Sequence, residues 1–209
     1  MNPTDWVRAN LLTDVPHDIS IWHWSTKDDI DRITRIIQSG GRFDGFRGGA
    51  VGRGLYVSTS AIDLLDRGSE IFYAKIQNGT KALIIDPTVF GVGQIEILEM
   101  ELQRHGWLNF QFPSCEQELK KAFSANPPAM VDQLLEKLEA PCCIYVFGFY
   151  LAFMIRDSRC LLFDSHIDPA STVLKYHQEH PREKPMLAPH LLEQWLDRHA
   201  KLRNSGTSF

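Results

Sequence analysis

Three groups of residues in the 209-residue chain combine types and spacings that suit chemistry. The first is His23-Trp24-Ser25, followed later by Gly54-Leu55-Tyr56-Val57-Ser58-Thr59-Ser60. An aromatic face suits a planar cation, and buried hydroxyls demand polar partners. The second group is acidic, Gln94-Ile95-Glu96 and Glu99-Met100-Glu101. A carboxylate serves chemistry where positive charge develops. The third is Cys115, preceded by Ser114 at an expected helix start whose dipole favours a thiolate, with Gln111 nearby to donate to an oxyanion. Asp164 and His166, on one side of a strand, would complete a hydrolytic triad with that thiol.

The elements that must position these groups follow from periodicity and punctuation. Asp18 to Ser25 alternates Ile19, Ile21, His23 and Ser25 with Ser20, Trp22 and Trp24, which predicts a strand. Thr26 and Asp29 form a capping box for a helix carrying Ile30, Ile33, Ile36 and Ile37 on one face, ended by Gly40-Gly41. Seven of the fourteen glycines fall between Gly40 and Gly54, so a mobile loop is expected there. Leu55 to Thr59 reads as a strand, and Ser60, with Asp63 three residues on, as the cap of a short helix closed by Gly68.

Ile71–Ile76 and Thr80–Ile85 read as two strands of a hairpin turning at Asn78-Gly79. Gly93 to Arg104 fits either a helix, through Ile95, Leu98 and Leu102, or a strand start. Helices are expected from Ser114 to Phe123 and from Pro128 to Leu138, strands over Cys142–Ile155 and Cys160–Phe163, and a last helix from Pro189 to Leu202. A single domain over 1–203 with a flexible tail at 204–209 accounts for the whole.

Composition narrows the function classes. Twenty-two Lys and Arg against 26 Asp and Glu give a net charge of −4, so no broad basic face neutralises phosphates and nucleic acid is not an expected partner. The longest uncharged run, Ala140 to Ile155, is shorter than the roughly 20 residues of a membrane-crossing helix. Residues Met1 to Leu12 carry Asp5 and Arg8 and lack a signal-peptide core. Cys115, Cys142, Cys143 and Cys160 show no C-x-x-C pair or zinc-type His spacing, so neither disulfides nor a metal are expected.

The order of His-bearing strand, helix, glycine loop and Gly-Leu-Tyr strand running into Ser-Thr-Ser resembles the ADP-ribosyltransferase superfamily, over roughly residues 19 to 100. In that family Ser-Thr-Ser usually accompanies an Arg on the first strand, whereas this chain has His23, so its motifs mix two branches. The resemblance implies an α+β fold with a β-sheet split around an NAD cleft and flanking helices. It further implies that His23 bonds the adenosine ribose of NAD and that the backbone at Trp24 and Ser25 holds the nicotinamide amide. Tyr56, beside Gly54, would stack on the nicotinamide ring, and Ser58 or Ser60 would steady the site.

The implied reaction is mono-ADP-ribosyl transfer to a protein acceptor, a host protein among the candidates, with no metal and no membrane partner. The setting it suits is a bacterial toxin or an effector secreted without a signal peptide, or a cytoplasmic enzyme. Departure of nicotinamide needs a carboxylate, and Gln94-Ile95-Glu96 is similar to the Gln-x-Glu element of bacterial toxins of this family. Glu96 ranks first, with Glu99 and Glu101 as alternatives and Asp164 if the segment is helical.

Plainer readings stand beside these. His23 could be a core histidine, Tyr56 an ordinary strand aromatic, Ser58 and Ser60 turn and cap residues, and Glu96 to Glu101 a solvated face. A cysteine hydrolase or deamidase using Cys115, His166 and Asp164 is the second hypothesis, since Phe-Asp-Ser-His is similar to the Asp-x-His element of herpesvirus tegument deubiquitinases. A catalytically silent interaction protein is the third.

Overall fold

The computed structural model describes residues 2–46, 49, 51–63, 65–113, 127–183 and 189–204. Cys115 and the helix expected from Ser114 to Phe123 lie outside them. Helix α1 (Pro3–Asn10) starts where the Asn2 side chain accepts a hydrogen bond from the Asp5 amide, and β1 (Leu12–Asp14) follows. Strand β2 (Ile19–Ser25) leads into α2 (Lys27–Gln38), capped by Thr26 as its sequence predicts. After the glycine-rich segment come β3 (Leu55–Ser58), β4 (Glu70–Ile76) and β5 (Lys81–Ile84).

The second half runs through α3 (Ile95–Arg104), α4 (Pro127–Lys137), β6 (Cys142–Phe147), β7 (Tyr150–Ile155) and the short β8 (Leu161–Leu162). Helices α5 (Pro169–Glu179) and α6 (Pro189–Asn204) close the described chain.

The fold is α+β, an open eight-stranded mixed sheet in the order β1-β5-β6-β7-β3-β2-β4-β8. Among the described strands, β5 and β6 pair in parallel and the other pairs are antiparallel. The Asn78-Gly79 turn exists, with Gly79 at φ 75°, but it does not make a hairpin of β4 and β5. It carries the chain from one end of the sheet towards the other: β4 pairs β2 and β8, while β5 pairs β1 and β6. The amide of Gly79 donates to Val15 and that of Gln77 to Cys160, so long-range partners claim the strands that a local turn would have joined.

The sheet is joined unevenly at its middle. Strands β2 and β4 share seven register pairs, β3 and β7 share four, and β2 and β3 share one, Trp22 with Ser58. Beyond that pair the ladder parts, dividing the sheet into a β1-β5-β6-β7-β3 block and a β2-β4-β8 block.

Each face of β2 buries against different partners, as its alternation requires. Ile19 and Ile21 join the main core with Ile33 of α2, Leu55, Phe72 and Phe153. Trp22 and Trp24 enter a second cluster with Ile62, Val173, Leu192 and Trp195, which docks α5 and α6 on that face. Trp195 meets Trp24 edge-on at 5.8 Å, and Trp22 Nε1 donates to Thr172 Oγ1 at 2.8 Å. The C-terminal helices therefore hold from behind the strand that carries His23.

Candidate functional site

A cavity of about 430 Å³ opens where β2 and β3 part, and His23, Trp24, Ser25, Tyr56 and Ser58 all line it. Its volume falls in the range of about 300–1,000 Å³ common to small-molecule sites. Tyr145, Phe147 and Ala152 form an apolar wall, and Asp63 and Arg67 come from the segment after β3. A neighbouring cavity of about 470 Å³ shares His23, Ser25 and Tyr56 and adds Asp29, Arg32 and Phe46, with Gly54 at its floor. Strand β7 passes close beneath Gly54: a Cβ there would lie 2.6 Å from the Ile155 carbonyl oxygen, which leaves room for glycine alone.

The His23 ring replaces a ladder bond at the split. Its Nδ1 lies 2.6 Å from the Tyr56 carbonyl oxygen, and a carbonyl can only accept, so Nδ1 carries the proton. Burial lowers the pKa of His23 below its usual value, outweighing the upward pull of that bond and of Asp29. The ring is therefore neutral near pH 7, and its Nε2 is left as an acceptor. Asp29 anchors the same corner, its carboxylate accepting from Ser25 Oγ at 2.9 Å and Thr26 Oγ1 at 3.3 Å.

Tyr56 is fixed through its hydroxyl, which donates to the Gly52 carbonyl at 2.6 Å and accepts from the amides of Gly49 at 3.1 Å and Val51 at 3.3 Å. Burial, assisted by nearby Cys143, pushes the phenol well above its usual range, so it stays protonated and keeps its donor. From the glycine-rich segment, Gly49 lines the main cavity. In the neighbouring cavity the Arg32 guanidinium lies 4.4 Å from the Phe46 ring centroid and donates to the Gly45 carbonyl at 2.9 Å.

Other expected site residues are not brought to the cavity. Segment 95–104 is a helix, which puts Glu96 in an exposed first turn of α3, outside the cavity lining. Glu99 accepts from the Phe112 amide at 2.6 Å, and buried Glu101 pairs with Arg104 at 3.6 Å. Asp164 follows the edge strand β8 and is exposed, its carboxylate accepting from the His166 amide at 2.8 Å in a local turn. His166 is exposed as well. Ser60 is fully buried and does not line the cavity; its amide donates to Ser58 Oγ at 3.1 Å. The short helix expected after it is instead a bend followed by a single 3₁₀ turn at Leu65–Arg67.

Sequence reasoning missed Asp63 and Arg67. Asp63 was legible only as a capping partner for Ser60, yet it is 3% exposed and faces the cavity. A larger hollow of about 680 Å³ beside the Gln77–Thr80 turn holds three arginines, but Arg42 and Arg156 pair with Asp44 and Arg159 with Asp157. Its three guanidinium groups are thus paired within the fold. Among the described residues no cluster of three metal-ligating side chains occurs, and no helix is long and apolar enough to cross a membrane.

No family model matches the chain, and no curated protein or solved structure matches it either.

Proposed function

We propose that this chain is a mono-ADP-ribosyltransferase moving ADP-ribose from NAD to a protein acceptor, with the split sheet of the ADP-ribosyltransferase superfamily. The observation that carries the reading is convergence. His23, Trp24 and Ser25 on one strand and Tyr56 and Ser58 on another line one cavity, where the sheet is held by a single register pair. A toxin or effector delivered into a host cell is the setting proposed, with a cytoplasmic enzyme as the alternative.

NAD as substrate supplies a ribose whose C1′ bears a pyridinium leaving group. Neutral His23 offers Nε2 as an acceptor, which suits a ribose hydroxyl. The Tyr56 ring, fixed by three hydrogen bonds at its hydroxyl, gives a flat face to a planar cation. The main chain at Trp24 and the Ser58 hydroxyl are the polar groups available to a carboxamide. Tyr145, Phe147 and Ala152 give that end an apolar wall, which strengthens electrostatic contacts made beside it. Arg32 and Phe46 in the neighbouring cavity suit a phosphate and an adenine ring.

The test is transfer of label from adenylate-labelled NAD to lysate proteins. Wild type should label one or a few bands; His23→Ala and Tyr56→Ala should lose the signal, and Glu96→Gln should keep it. Labelling that survives Tyr56→Ala would overturn the reading.

A further inference from the structure

The cavity poses a question that the motifs leave open, namely which carboxylate faces the positive charge when nicotinamide departs. Strand β7 lies directly beside Tyr56, pairing Tyr56 with Met154 and Ser58 with Ala152. It carries no acidic residue from Tyr150 to Ile155. The group it presents beside Ser58 is the methyl of Ala152. Glu96, Glu99, Glu101 and Asp164 are absent from the described lining, and Asp63 is its one carboxylate.

Asp63 sits five residues beyond Ser58, in the bend that follows β3, and lines the cavity. Burial above all raises the pKa of Tyr145, which lines the same cavity, with Tyr56, Cys143 and Asp63 adding to it. Arg67, four residues on, brings a guanidinium to the same described lining.

We infer that Asp63 is the catalytic carboxylate of this cleft, its negative charge opposing the charge that grows on the ribose. The inference rests on the ADP-ribosyltransferase reading. In the step, the bond between C1′ and the pyridinium nitrogen breaks and its electron pair leaves with nicotinamide, which departs neutral. The positive charge this leaves on the ribose is what Asp63 stabilises. An acceptor side chain or water then bonds to C1′ and gives its proton to solvent. The assignment moves the required acid from a strand or from α3 to the bend after β3.

The test measures two quantities, NAD affinity by calorimetry and nicotinamide release, on wild type and Asp63→Asn. Asp63→Asn should bind NAD within about threefold of wild type and lose release by about 100-fold or more, the scale of deleting one charge-stabilising group. Asp63→Ser carries the same test should the amide unfold, a fault circular dichroism would show, and sodium formate should restore part of its release. Release by a folded Asp63→Asn within threefold of wild type would overturn the assignment while leaving the transferase reading intact. Wild type that neither binds NAD nor releases nicotinamide would overturn both.

Discussion

Replacing Tyr56 by Phe removes one oxygen and three hydrogen bonds: the donation to Gly52, and the acceptances from the Gly49 and Val51 amides. The ring and its place in the cavity are kept. At about 0.5–1.5 kcal/mol net for each bond, the gross loss is roughly 1.5–4.5 kcal/mol. Gly49 is exposed, and its amide also donates to the Gly52 carbonyl at 2.9 Å, so water and that bond recover part of it. A net local loss of about 2 kcal/mol corresponds to roughly 30-fold faster opening. Native-state amide hydrogen exchange measures this directly. The Gly49 and Val51 amides should exchange about 30-fold faster in Tyr56→Phe, and amides in the ladder between β2 and β4 should be unchanged. Unchanged exchange at Gly49 and Val51 in a folded variant would refute the claim that the Tyr56 hydroxyl holds this segment over the cavity.

Burial, with Arg104 and His17 adding to it, lowers the pKa of His105 from 6.5 to about 4. The unfolded chain therefore takes up the proton first, so this contribution to stability is full above pH 6.5 and is lost as pH falls towards 4. The loss at pH 5 is about 2 kcal/mol, and His105→Gln should show that much less decline between pH 7.5 and 5 in denaturant titrations; an equal decline would contradict it. Glu101, whose carboxyl burial raises, acts in the opposite sense as pH rises and is present in both proteins. Gly68 lies directly against the Ser25 backbone, with no space for a Cβ. Gly68→Ala should cost about 1–3 kcal/mol, which at this chain length lowers Tm by roughly 3–10 °C; a Tm within 1 °C of wild type would show that the contact yields.

Local grammar in the sequence reaches β2, α2 and the two motifs because each is written within a few neighbouring residues. Period-two alternation sets Ile21 and Trp22 on opposite faces, and Thr26 with Asp29 starts the helix where the structure has it. The same grammar misled at Asn78-Gly79, since a turn dipeptide fixes a bend but not which strands pair. It left Gly93–Arg104 undecided, because Gln-Ile-Glu-Ile satisfies both periods until Leu98, Glu101 and Leu102 are seen buried together on one face. Helices α1 and α5 were legible and overlooked: Asn2 and Asp168 each cap a following amide. Asp63 was hidden for a different reason. Its place in the cavity depends on the direction of the chain after Ser58, where Ala61 and Ile62 pack against Trp24 of β2 and Leu192 and Trp195 of α6, residues far away in the sequence.

Nicotinamide release by the purified protein, alone and with cell lysate as acceptor, tests the central claim that the split between β2 and β3 is an NAD cleft. Wild type should release nicotinamide, Tyr56→Ala and His23→Ala should not, and Glu96→Gln should match wild type. Release that persists in Tyr56→Ala, or its absence from wild type in the presence of lysate, would contradict the account.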